Sequence, residues 1–150
     1  MNLLLLDADV IIDLHKLELW AQVTKKHKVY IASTVLHNEA YYYEDDKGQH
    51  PIEVTGIEEL SATPQEIQQF CSKFNPAYLE LHPGESESLS ILINKSKLVF
   101  CTCDRAAVIA SVLVGIIERL VSNIKTLLNW RVFLLYKLLT FSLFIYTYSI

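Results

Sequence analysis

The sequence predicts an α/β fold: a three-layer α/β/α sandwich around a central, mostly parallel sheet, in one domain spanning residues 1–129. Three observations carry this expectation. Short apolar runs alternate along the chain with stretches whose apolar residues recur at helical spacing. The first and last of those runs, "LLLL" (Leu3 to Leu6) and "LVFC" (Leu98 to Cys101), are apolar throughout, the pattern of strands buried on both faces. Each is followed at once by acid, Asp7 and Asp9 after the first and Asp104 after the second. The composition agrees, since 150 residues that are 51% hydrophobic and 20% charged, with only four Gly and four Pro, describe a globular chain with a substantial core.

After Leu3 to Leu6, the stretch "VIIDLHKLELWAQVTKK" (Val10 to Lys26) places Ile12, Leu17, Trp20 and Val23 at helical spacing. "KVYIAS" (Lys28 to Ser33) is β-branched and aromatic and predicts a strand. "STVLHNEAYYY" (Ser33 to Tyr43) opens with hydroxyl residues suited to capping and predicts a helix. "EDDKGQHP" (Glu44 to Pro51) has loop composition, and "IEVT" (Ile52 to Thr55) predicts a short strand. In "TPQEIQQFCSKF", Thr63, Pro64 and Glu66 match a capping box with proline at the first helical position, and Ile67, Phe70 and Phe74 form the buried stripe. "HPGESESLSILINKS" passes from turn residues into a helix with a stripe of Leu89, Leu92 and Ile93. "KLVFCT" (Lys97 to Thr102) predicts a strand, and "AAVIASVLVGII" (Ala106 to Ile117) an apolar helix. There is no internal repeat and no low-complexity linker.

The formal net charge of −4 argues against a broadly basic, nucleic-acid-coating protein and leaves room for a local basic patch. Three cysteines do not make a disulfide framework. A reducing compartment, and hence the cytoplasm, is the expected location, because no basic segment precedes the leucines as in a signal peptide. The far end differs in character. From Val132 to Ile150, "VFLLYKLLTFSLFIYTYSI" is almost wholly apolar and approaches the roughly 20 residues that cross a bilayer. Residues 130–150 fit a buried last helix and strand, a membrane anchor with Arg131 and Lys137 at the interface, or a tail foreign to the domain.

Taken singly, the acids have structural explanations. Asp7 and Asp104 suit helix N-caps, Glu39 a solvated helical face, and Glu85 and Glu87 the first turn of a helix, where negative charge complements the dipole. Taken together they suggest a site, because ligands of open parallel sheets bind beyond the carboxyl ends of the strands. Carboxylates gathered there repel one another and raise each other's pKa, a conflict that a hard cation such as Mg²⁺ or Mn²⁺ resolves. Such ions activate water and stabilise leaving oxygens in phosphodiester hydrolysis.

In order and approximate spacing, "LLLLDADVIIDL", "ASTVLHNEA", "GESESLSIL" and "FCTCDRAA" resemble the four acidic motifs of PIN domains. That family consists of metal-dependent ribonucleases, many of them toxins of VapBC-type toxin–antitoxin pairs. Asp7-Ala8-Asp9 resembles the first motif, Ser33 to Glu39 the second, and Thr102-Cys103-Asp104-Arg105 the fourth. Gly84 to Glu87 resembles a subgroup in which a "GE-x-E" pair opens the helix, with Glu85 the preferred ligand of the two. The resemblance covers about residues 1–125 and implies an endoribonuclease, with an RNA substrate, a small antitoxin partner and a possible homodimer. It further implies that Asp7, Glu39, Glu85 and Asp104 hold Mg²⁺ or Mn²⁺, with Asp9 and Glu87 as outer or alternate ligands and Thr102 bonded to a ligand or the attacking water. The family's short strand and closing helix after the fourth motif would fall in "GIIERLVSNIKTLL" (Gly115 to Leu128), and the apolar tail exceeds the pattern.

Other residues have plainer explanations. Cys101 and Cys103 are expected to be small buried core residues, since no second Cys or His pair lies at zinc-site spacing. His37 is expected at the surface or beside a ligand, and His82 near the site entrance. "KKHK" (Lys25 to Lys28) suits a solvated helix end, whereas Arg105, directly after Asp104, is placed for a phosphate contact. Tyr41 to Tyr43 fit packing against another chain better than base stacking. The competing functional readings are a PIN-like module kept for protein partnership, and a membrane-attached protein held by the tail.

Overall fold

The computed structural model describes residues 3–74 and 79–121. The chain runs β1 (Leu3–Leu6), α1 (Ala8–Lys16), α2 (Trp20–Lys26), β2 (Lys28–Ala32), α3 (Ser33–Asn38), β3 (Tyr42–Asp45), β4 (Gly48–Pro51), β5 (Ile57–Leu60), α4 (Pro64–Cys71), α5 (Pro83–Asn94), β6 (Leu98–Cys101), α6 (Arg105–Leu113), a 3₁₀ turn (Ile117–Arg119) and β7 (Leu120–Val121). Five strands form one sheet in the order β5-β2-β1-β6-β7, and every pairing in it is parallel. Helices flank the sheet, so the chain is an α/β/α sandwich. β1 lies at the centre, in register with β2 on one side (Leu4 opposite Val29) and β6 on the other (Leu4 opposite Val99).

The strand order explains the leucine run. With neighbours on both edges and helices over both faces, Leu4, Leu5 and Leu6 are each buried, as are Val29, Ile31, Phe100 and Cys101 around them. From β1 the chain moves outward through β2 to β5, then returns across the sheet to lay β6 on the other side of β1. The order therefore reverses between β1 and β6, the place where an open α/β sheet forms a crevice.

α5 carries that return. It packs against β2 and β6 and against α3, α4 and α6. Every residue from Gly84 to Leu92 is buried, so the helix has no solvent face, and the expected stripe of Leu89, Leu92 and Ile93 understates its burial.

Several expected elements take another form. The stretch Val10 to Lys26 is two helices, because the chain turns at Glu18, which sits at φ 56. α3 ends at Asn38, and Tyr42–Asp45 pairs antiparallel with Gly48–Pro51, so the tyrosines and the supposed loop form a β-hairpin. Its turn is closed by Lys47 N donating to Asp45 Oδ1 at 2.7 Å, and by Tyr43 stacked on His50 across the strands. The strand expected at Ile52 to Thr55 falls at Ile57–Leu60 instead, where it pairs with β2. α4 has the predicted capping box at Thr63 and Glu66 but ends at Cys71, leaving Phe74 in the turn beyond, edge-on to Phe70. α6 stops at Leu113, and Gly115 takes the left-handed conformation (φ 72) that turns the chain toward β7. The expected closing helix beyond Val121 and the apolar tail 130–150 lie outside the described residues. No helix among the described residues is long and apolar enough to cross a membrane.

Glu18 offers a stability test. A side chain in the left-handed region costs roughly 1–2 kcal/mol, part of which glycine recovers despite its greater freedom when unfolded. Glu18→Gly is expected to raise the unfolding free energy by up to about 1 kcal/mol, measured by chemical denaturation.

Candidate active site

The two strand-to-acid junctions meet at the switch point. Asp7 N donates to Cys101 O at 3.0 Å, which holds the end of β1 beside the end of β6. Thr102, fully buried, links the acids that follow. Its Oγ1 donates to Asp7 Oδ2 at 2.6 Å and accepts from Asp104 N at 3.0 Å. A threonine suits this place because one hydroxyl both donates and accepts.

Capping and clustering turn out to be compatible. Asp7 is the N-cap of α1 and accepts from Ala8 N at 2.9 Å. Asp104 is the N-cap of α6, and its Oδ1 accepts from Ala106 N and from Ala107 N, the latter at 3.0 Å. In a parallel sheet a helix begins where each strand ends, so the residues that cap α1 and α6 also line the crevice.

Glu85 completes the centre from the opposite wall. It stands in the first turn of α5, where one oxygen accepts from His82 N at 2.9 Å, and the Asp104 carboxyl is near enough to raise it. Burial, and then the charges of Asp104 and Asp7, push the Glu85 carboxyl up to about 8. Burial likewise raises Asp7 to about 6, against the opposing hydrogen bonds from Thr102 and Ala8 and with the charges of Asp9 and Glu39 adding to the rise.

Glu39 reaches the same region from the C-cap of α3, with Oε1 accepting from Gly84 N at 3.0 Å. This approach explains the glycine. A β-carbon at position 84 would lie 2.7 Å from Cδ of Glu39, inside any ordinary contact. The signal for this close approach in the sequence is a glycine in the first turn of a helix otherwise free of them. Asp9 is exposed in the first turn of α1 and close enough to raise Asp7, while Arg105 is exposed at the start of α6.

Two expectations are corrected here. Glu87, expected among the metal ligands, points away. Its Oε2 accepts from Thr34 N at 2.7 Å and its Oε1 from Ala62 N at 3.1 Å. Residues two apart on a helix lie about 200° apart around its axis, so Glu85 and Glu87 cannot share one site. Cys103 is exposed rather than buried, because β6 ends at Cys101 and the chain has left the core by residue 103. Its thiol is raised by partial burial and then by Asp13, Asp9 and Asp7, which places it beside the acids. Cys101 is in the core as expected, His37 is exposed and bonded to Glu59 at 3.1 Å, and His82 is the exposed N-cap of α5.

As a donor set, carboxyl oxygens from separate elements, those of Asp7 and Glu85 buried, are of the type that a hard divalent cation prefers. Among the described residues no group of three or more His, Cys, Asp or Glu side chains stands so as to hold a metal ion. Both Asp7 oxygens, and one oxygen each of Glu39, Glu85 and Asp104, hold protein hydrogen bonds instead. Comparison of the chain with protein-family models, curated proteins and solved structures finds no match.

The proton on Glu85 has a consequence with a definite sign. An unfolded glutamate ionises near 4.5, while the folded one keeps its proton to about 8, so between these values the folded state binds more protons and stability falls as pH rises. Glu85→Gln is expected to remove that component, so its denaturation midpoint gains on wild type between pH 5 and pH 8. Parallel pH profiles for the two proteins would contradict it. Gly84→Ala is expected to keep the fold, since alanine favours helix by up to about 1 kcal/mol, while a crystal structure of the variant shows the Glu39 carboxylate displaced from α5.

Proposed function

We propose that this chain is a metal-dependent endoribonuclease of the PIN kind, hydrolysing RNA phosphodiester bonds, with the toxin of a type II toxin–antitoxin pair as its role. One observation carries the proposal: Asp7 and Asp104, joined through Thr102 at the β1/β6 switch point, lie near Glu85 of α5, with Glu39 and Asp9 close enough to raise Asp7.

Asp7, Glu85 and Asp104 would hold Mg²⁺ or Mn²⁺, with Glu39 closing the set and Asp9 acting through water. The bound ion would lower the pKa of a water and offset charge on the leaving oxygen. Thr102 keeps Asp7 and Asp104 in fixed relation by bonding to both segments. Glu85 must give up its proton for the cation to enter. Arg105, one residue beyond Asp104 and exposed, would meet a substrate phosphate. The second reading, a protein-binding module on the same fold, draws on the absence among the described residues of any group of three acids, histidines or cysteines able to hold a metal ion.

Asp104→Asn separates chemistry from capping, because asparagine is as good an N-cap as aspartate. The variant is expected to keep its thermal midpoint and lose Mn²⁺-dependent cleavage of RNA by more than about 100-fold. Calorimetric titration of wild type with Mn²⁺ is expected to show one saturable process that releases protons at pH 7 and tightens toward pH 8. A flat titration would favour the binding module.

A further inference from the structure

α3 is too short to hold its own position. It has six residues, and no side chain of its own caps its N-terminus. α5 holds it at both ends. At the start of α3, the buried Glu87 carboxylate accepts from Thr34 N at 2.7 Å. At its end, Glu39 returns to accept from Gly84 N at 3.0 Å. The two helices thus cap each other, each supplying a glutamate to a free N–H in the other's first turn. Gly84 and Glu87 are three apart on α5, on neighbouring positions of one face. The second oxygen of Glu87 accepts from Ala62 N at 3.1 Å, which ties the segment leading into α4 to the same carboxylate.

We infer that Glu87 is a positioning residue for Glu39: through α3 it sets where the Glu39 carboxylate stands against the N-terminus of α5. The inference rests on the reading above that Glu39 helps to hold a cation. Glu87 acts only through α3, since its own carboxylate is spent on two backbone N–H groups away from Asp7 and Asp104. A chain with Glu87 disabled keeps its ligands and loses their alignment.

The experiment uses the full chain and compares wild type, Glu87→Gln, Glu39→Gln and the double variant by Mn²⁺ calorimetry and by amide hydrogen exchange. Glu87→Gln keeps one carbonyl acceptor and turns an amide N–H₂ toward a backbone N–H. The expected result is an Mn²⁺ affinity about tenfold weaker at unchanged stoichiometry, with faster exchange at the Gly84 and Thr34 amides. In the Glu39→Gln background the same change is expected to cost less than about twofold more, because the two residues act as one unit. Glu87→Asp, which keeps the charge and shortens the reach, is expected to move both readouts the same way and serves if Glu87→Gln does not fold. Unchanged exchange at Gly84 overturns the inference, as does an equal loss of affinity with and without Glu39. If wild type takes up no Mn²⁺, the nuclease reading falls by itself, and exchange at Gly84 still decides whether Glu87 governs Glu39.

Discussion

The carboxyl groups of Asp7 and Glu85 are buried, with half-buried Asp104 nearby, and the arrangement around them follows from neutralising that charge. Keeping a proton at pH 7 on a carboxyl of ordinary affinity near 4.5 costs about 3 kcal/mol, whereas an unpaired buried ion costs several. The proton therefore stays on Glu85 until another positive charge displaces it. The remaining oxygens take N–H and O–H donors from helix starts, because there the backbone has unused donors to offer. Thr102 and the first turns of α1, α5 and α6 supply them.

α5 supports this arrangement from beneath. It is the return stroke of the chain, buried from Gly84 to Leu92, and it carries two glutamates that face opposite ways. Glu85 faces the crevice and shares its proton problem. Glu87 faces α3 and accepts from the backbone N–H groups of Thr34 and Ala62. Two residues of one type, two positions apart, thus meet different partners because a helix turns about 100° per residue.

Much of this was legible in the chain. The leucine run and "LVFC" are the central strands, the alternation of elements is that of a parallel sheet, and Thr102 links the segments that carry the acids after them. Local chemistry misled where two structures fit one pattern. Tyr41 to Tyr43 after a capped start suit a helix, yet as aromatic residues they suit a strand equally, and pairing with Gly48–Pro51 decides for the strand. The turn at Glu18 carries neither glycine nor proline, so nothing local announces it.

Hydrophobic pattern and residue type settled the class of fold and the presence of an acid after each central strand, because both depend on contacts a few residues long. The order of the strands, the bond between Thr102 and Asp7 across 95 positions, and the separate directions of Glu85 and Glu87 came only with the packed chain. A side chain's partner across the fold is fixed by how whole elements stack against one another, and local sequence spacing does not encode the rotation at which α5 meets α3 and the sheet.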